Sequence, residues 1–258
     1  MRDRSWKAHF ETHRRDAMQI HQEECRGCIE KCSVYCPTKA IFKDDDVAKI
    51  DRDLCVECYN CYRVPCCPYD CFEPEELEWP RSFRRAMSDP ITVDNRTGVS
   101  GRGTAEMKTN DVTGRIKYGH FGIGVELGRP GVGTSMRDVE KVCIALAPYI
   151  SFEPKNPVTY VMKDIKTGKL REDILGEFVL SAIVEGDVAI DKLEVVMAAL
   201  KKVAGEVDTV FSVGLSSRVY PDGSLVFKDQ LERLGYTPYL CGKTNVGLAK
   251  PAFVEGLR

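Results

Sequence analysis

Two hydrophobic periods alternate along residues 119–258. The Gly-rich stretch GHFGIGVELGRPGVGTS (119–135) reads as a strand and turn leading into a helix. From Ser135 the apolar positions Met136, Val139, Val142, Cys143 and Leu146 recur every three to four residues, with Thr134 or Ser135 as the cap and Pro148 as the stop. A strand is predicted over VTYVMKD, then a turn at KTGK. In FVLSAIVEG, Phe178, Leu180, Ala182 and Val184 alternate on one face. A second helix is predicted from a cap at Asp191, with Glu194 three residues on, the stripe Leu193, Val196, Met197 and Leu200, and Gly205 as the stop. The strand TVFSVGLSS follows. This order, β-α-β-β-α-β, predicts an α+β domain of the split-βαβ (ferredoxin-like) kind, extended by a helix at 228–234 and a strand at 238–241.

The pattern upstream is different. Residues 1–22 predict an N-terminal helix whose apolar positions are Trp6, Phe10, Met18 and Ile20. His9 and His13 are four apart there, with His21 beyond, but no carboxylate–His zinc pattern accompanies them. A solvated helix packed on a neighbour accounts for them. Residues 78–118 hold few large apolar side chains and are expected to form an extended basic arm. They carry Arg81, Arg84, Arg85, Arg96, Arg102, Lys108, Arg115 and Lys117 against Glu78, Asp89, Asp94, Glu106 and Asp111. A long stretch without an evident core takes its order from what it touches, so a partner subunit is the expected occupant.

Between them, residues 23–77 hold ten of the twelve cysteines. The first run is CRGCIEKCSVYCP; the second is CVECYNC followed by YRVPCCPYDC; TKAIFKDDDVAKIDRDL joins them as a hairpin-like segment. Disulfides are not expected, because the chain reads as cytoplasmic and clustered cysteines there usually hold metal. Structural zinc uses paired CxxC motifs but explains neither two Cys-Pro endings nor so many thiols. Iron bound to soft thiolate sulfur does.

Residues 25–68 resemble a bacterial-type ferredoxin domain with two 4Fe-4S clusters. The resemblance implies that Cys25, Cys28, Cys32 and the late Cys67 hold cluster one. It implies that Cys55, Cys58, Cys61 and Cys36 hold cluster two. Two spacings depart from the family pattern: three residues separate Cys28 from Cys32, and five separate Cys61 from Cys67. Pro68 favours Cys67, and Cys66 and Cys71 stand as substitutes. The string RGTAEMKTNDVTGR is similar to iron–sulfur reductases of heteroaromatic rings, such as 6-hydroxynicotinate reductase.

Charge and length then narrow the function. A net charge of -2 over 258 residues gives no basic footprint for nucleic acid. No apolar run suits a membrane span, and the N-terminus carries charges where a secretion signal needs an apolar stretch. The cluster segment holds 13 acids against 7 bases, which predicts a low reduction potential and attraction for basic partners. The leading expectation is an electron-transfer subunit of a larger anaerobic oxidoreductase, with no catalytic group of its own. One alternative is a self-contained reductase, with flavin or substrate held by the glycine-rich loops at 95–119 and 128–138. Another is a redox- or ligand-sensing regulator. His120 is a lone candidate proton donor, and Cys143 and Cys241 fit apolar packing positions.

Overall fold

The structure, a computed structural model, describes residues 16–93, 98, 114–128, 132–225 and 227–237. It is α+β. Strand β1 (Asp16–Ile20) opens the described chain, so its residues do not form the end of the expected N-terminal helix; residues 1–15 lie outside the described residues. The reason is long-range. The strand pairs antiparallel with Phe72–Glu76, and the Met18 amide donates to the buried Glu57 carboxylate at 3.0 Å. Met18 is buried, and Gln19 and Ile20 are half-buried.

A short helix α1 (Ile29–Cys32) follows the second cysteine. The linking segment is the expected hairpin, β2 (Ile41–Asp44) on β3 (Val47–Ile50), with Ile41 opposite Ile50. Helix α2 (Asn60–Arg63) follows the second cysteine of the second run, and β4 (Phe72–Glu76) closes on β1. The core here is small. Met18, Ile41, Ala48, Tyr59 and Phe72 pack around Cys25, Cys32, Cys66 and Cys71, so cysteines take the place of ordinary core side chains.

Residues 78–93 are not an extended arm. Arg81–Ser88 form helix α3, and Phe83 to Ser88 are all buried. Phe83 and Met87, one turn apart, have no exposed surface and join the core of the later elements. Two apolar residues make a weak signal on their own, and the helix depends on what it meets on both sides. Residues 94–97 and 99–113 of the expected arm lie outside the described residues.

The remaining elements form a four-stranded antiparallel sheet with helices packed on it. Its strands are β5 (His120–Leu127), β7 (Ser151–Phe152), β11 (Ala182–Ala189) and β12 (Phe211–Ser216), in the spatial order β12-β5-β11-β7. Between β5 and β7, β6 (Thr134–Ser135) leads into α4 (Met136–Leu146), as the periodicity predicts. The Ser135 hydroxyl accepts the Asp138 amide at 3.2 Å and donates to its carboxylate at 2.9 Å. Met136, Val139, Val142, Cys143 and Leu146 have no exposed surface.

Three local expectations change. VTYVMKD is not one strand: Pro157–Tyr160 form a helical turn, α5, and only Met162–Asp164 is extended, as β8 on β9 (Lys169–Leu170). The Asn156 side chain accepts from the Val158 amide at 2.8 Å, and Pro157 is preset for a helix start, which overrides the β-branched residues. FVLSAIVEG breaks into β10 (Phe178–Val179), paired with β6, and the central strand β11. Ala182, Ile183 and Val184 are all buried, so the one-face alternation does not hold. Helix α6 (Leu193–Ala204) follows a 3-10 turn, and Asp191 pairs with Lys192 instead of capping it. The late helix is present as α7 (Lys228–Arg233), and the strand expected at 238–241 lies outside the described residues.

Candidate metal centre

The cysteine loops are built twice on one backbone plan. After β1, the His21 amide bonds the Cys71 carbonyl at 2.9 Å and the Cys25 amide bonds the His21 carbonyl at 3.1 Å. After β3, the Asp51 amide bonds the Ala40 carbonyl at 2.8 Å and the Cys55 amide bonds the Asp51 carbonyl at 2.9 Å. Each CxxC then has a left-handed residue before its second cysteine, Gly27 at φ +65° and Glu57 at φ +56°. At Gly27 a Cβ would stand 2.4 Å from the Asp46 carbonyl oxygen, so only glycine fits. Glu57 is held in this costly conformation by its own side chain, which takes the Met18 amide and Arg81 at 2.8 and 2.6 Å.

The Cys-Pro endings repeat as well. Lys39 and Asp70, each three residues after its cysteine, are left-handed at φ +57° and +55°. Each amide reaches back to that cysteine's carbonyl, at 3.2 and 3.3 Å. Cys67 is therefore the counterpart of Cys36. Cys71 stands where the other half has Ala40, and Cys66 where it has Tyr35.

The thiols fall into two sets. Cys25, Cys28, Cys32, Cys66, Cys67 and Cys71 line one cavity, with Arg26, Lys31 and Tyr69 beside them. Burial pushes the Cys32 thiol up to about 11, helped by Cys66, Cys67, Cys28 and Cys25. Cys36 belongs to the other set. Burial raises Cys61 well above an ordinary thiol, followed by its neighbours Cys58, Cys55 and Cys36 and, from the first set, Cys66. Burial raises Cys58 too, and Cys36 adds to it. Burial and then Glu57 push Cys55 up to about 12. Crowded thiols of this kind ionise together only against strong positive charge.

Backbone amides point at sulfur in both sets. Ala48 donates to Cys25 at 3.3 Å and Ala40 to Cys36 at 3.2 Å, while the amides of Glu57 and Asn60 bond Cys55 and Cys58. Such bonds stabilise sulfur that carries negative charge. Among the described residues, no three His, Cys, Asp or Glu side chains converge tightly enough to hold a single metal ion. A cubane has its own volume, so its thiolates stand further apart than the ligands of one ion.

The other candidates are placed as follows. His9 and His13 lie outside the described residues, and His21 pairs with Glu73. His120 is not isolated: its Nδ1 lies 2.7 Å from the Asp187 carboxylate, with both side chains partly exposed. In the loop at 128–138 the amides of Val132 and Gly133 bond the Gly128 carbonyl, and Met136 bonds Glu177, so those amides are not left for an anion. Most of the glycine-rich stretch at 95–119, and Cys241, lie outside the described residues. Cys143 is fully buried in the later core, and burial raises its thiol. Cys143→Ala should lower stability by on the order of 1 kcal/mol in urea denaturation.

Sequence reasoning missed the residues around the second loop. Arg81 reaches Glu57 and the carbonyls of Arg52 and Cys55; Arg85 lies over the Tyr59 ring, 4.1 Å from its centroid; Arg63 pairs with Asp89 at 2.8 Å. The spacing Arg81, Arg84, Arg85 on one helix was the available signal. Compared with protein-family models, characterised proteins and solved structures, the chain matches none.

Proposed function

We propose that this chain relays single electrons through two 4Fe-4S clusters, to or from a partner redox subunit of a larger oxidoreductase. Cys25, Cys28, Cys32 and Cys67 would hold the first cluster, and Cys55, Cys58, Cys61 and Cys36 the second. The observation that carries this reading is the grouping of the thiols. Cys36, from the first run, neighbours Cys58 and Cys61, while Cys67, from the second, lines the cavity of Cys25, Cys28 and Cys32 together with Cys66 and Cys71. When bound, each cluster accepts and releases one electron. The chain's own residues wrap it, exclude water and direct amides at its sulfurs.

The fold reading belongs with this. We take residues 23–77 as the cluster-bearing domain and residues 119–258 as a split-βαβ domain, joined through α3, whose Arg84 bonds the Cys55 carbonyl and Glu177. The basic stretch at 78–118 offers a partner fewer cations than its composition suggests, because Arg81 and Arg84 are bonded within the chain. No helix among the described residues is long and apolar enough to cross a membrane.

The test is anaerobic reduction by a small viologen, followed by a one-electron dye as acceptor. About two electrons per chain should enter and leave, one per cluster, with no flavin in the preparation. Stoichiometric flavin, or no electron uptake by iron-loaded protein, would replace the relay with another reading.

A further inference from the structure

Arg84 is 5% exposed and spends its donors on two different bodies. Its Nη1 bonds the carbonyls of Arg52, Asp53 and Cys55 at 3.1, 3.0 and 2.9 Å. Its Nε bonds the Glu177 carboxylate, between α5 and β10 in sequence, at 2.7 Å. Three carbonyls of the loop entering the second CxxC thus converge on one cationic nitrogen. The neutralising carboxylate meets another corner of the guanidinium and comes from 93 residues away. The same helix carries Phe83 and Met87 into the later core, so Arg84 cannot follow the loop if the loop moves.

We propose that Arg84 is a positioning residue that sets the reduction potential of the second cluster and couples it to residues 114–237. The proposal rests on the two-cluster reading. An added electron at a cluster is favoured by nearby positive charge, and a buried charge is poorly screened. Arg84 is one bond from the carbonyl of Cys55, a ligand of the second set. Among the described residues, the hydrogen bonds of the first CxxC run to partners within residues 21–48. Arg26 and Lys31, beside the first set, are exposed to solvent.

Charge at this position makes opposite predictions for its two partners. Arg84→Met removes the cation and should lower the second cluster's potential. Glu177→Gln removes the counter-charge, leaves the cation against the loop, and should raise it. The first cluster should stay in place in both variants. A merely structural role for Arg84 would move the potential the same way in both variants, or in neither.

The experiment is a redox titration of the full chain followed by electron paramagnetic resonance, with iron counted on each sample. Two signals and about eight iron atoms in the unmodified protein establish the reading on which the proposal stands. Given those, opposite shifts confined to the Cys55 set support the proposal. Unshifted potentials, shifts of one sign, or equal shifts in both clusters overturn it. If Arg84→Met fails to load its second cluster, Glu177→Gln decides alone: a raised second potential supports the coupling, and an unmoved one ends it. Iron well below eight in the unmodified protein instead refutes the two-cluster reading.

Discussion

Cys36→Ala should cost the chain about four of its eight iron atoms and erase one of two cluster signals. The surviving signal should be that of the set containing Cys25 and Cys28, although Cys36 belongs to the same run in sequence. The reason is spatial. Cys36 adds to the raised thiols of Cys58 and Cys61, and it does not line the cavity shared by Cys25, Cys28 and Cys32. Removing one of four thiolates leaves an iron corner open to solvent. Cys55→Ala should erase the same signal as Cys36→Ala. Cys66→Ala should erase neither, because in the backbone repeat Cys66 stands opposite Tyr35. If Cys36→Ala erased the signal that Cys25→Ala also erases, the exchange of last ligands would be wrong.

Phe83→Ala should destabilise the protein by about 3–5 kcal/mol, as expected for emptying a fully buried aromatic site. The ring has no exposed surface and lies 5.9 Å from the Trp79 ring, centroid to centroid. The Arg171 guanidinium lies over the Trp79 ring, 4.8 Å from its centroid. The cavity would open at the root of α3, which also carries Arg81 and Arg84 to the Cys55 loop. Thermal melting should therefore fall, and iron should be lost from the second set sooner than from the first on exposure to air. A Phe83→Ala protein that melts like the unmodified chain would show that α3 is not anchored there.

What the sequence makes legible is mostly short-range. The CxxC spacings, the Cys-Pro endings, the hairpin between them and the helix from Met136 are each set within a dozen residues. The Ser135 cap and the stripe from Met136 to Leu146 agree with one another, so nothing distant overrides them. The missed elements depend on partners far along the chain. Asp16–Ile20 is a strand because Phe72–Glu76 is beside it and Glu57 takes the Met18 amide. Arg84 looks solvated in sequence, yet it is buried because Glu177 and three loop carbonyls satisfy it. The turn at Pro157–Tyr160 is local: Asn156 caps it and Pro157 starts it, although Val158, Thr159, Tyr160 and Val161 favour a strand.

The same distinction applies to the site. Identity of the thiols is local, but their sorting is not, since Cys36 and Cys67 change places only in three dimensions. Spacing leaves Cys66, Cys67 and Cys71 open as the fourth thiol of the proposed first cluster. The matching left-handed turns at Lys39 and Asp70 make Cys36 and Cys67 counterparts in the backbone repeat, which supports Cys67 in that proposal.

The central claim meets its most direct test in an anaerobic preparation of the full chain, analysed for iron and acid-labile sulfide against protein concentration. Two cubane clusters require about eight of each per chain. That result, with sulfide equal to iron, is what the arrangement of Cys25, Cys28, Cys32, Cys67 and Cys55, Cys58, Cys61, Cys36 predicts. About four of each would leave a single cluster, and zinc without sulfide would contradict the account altogether.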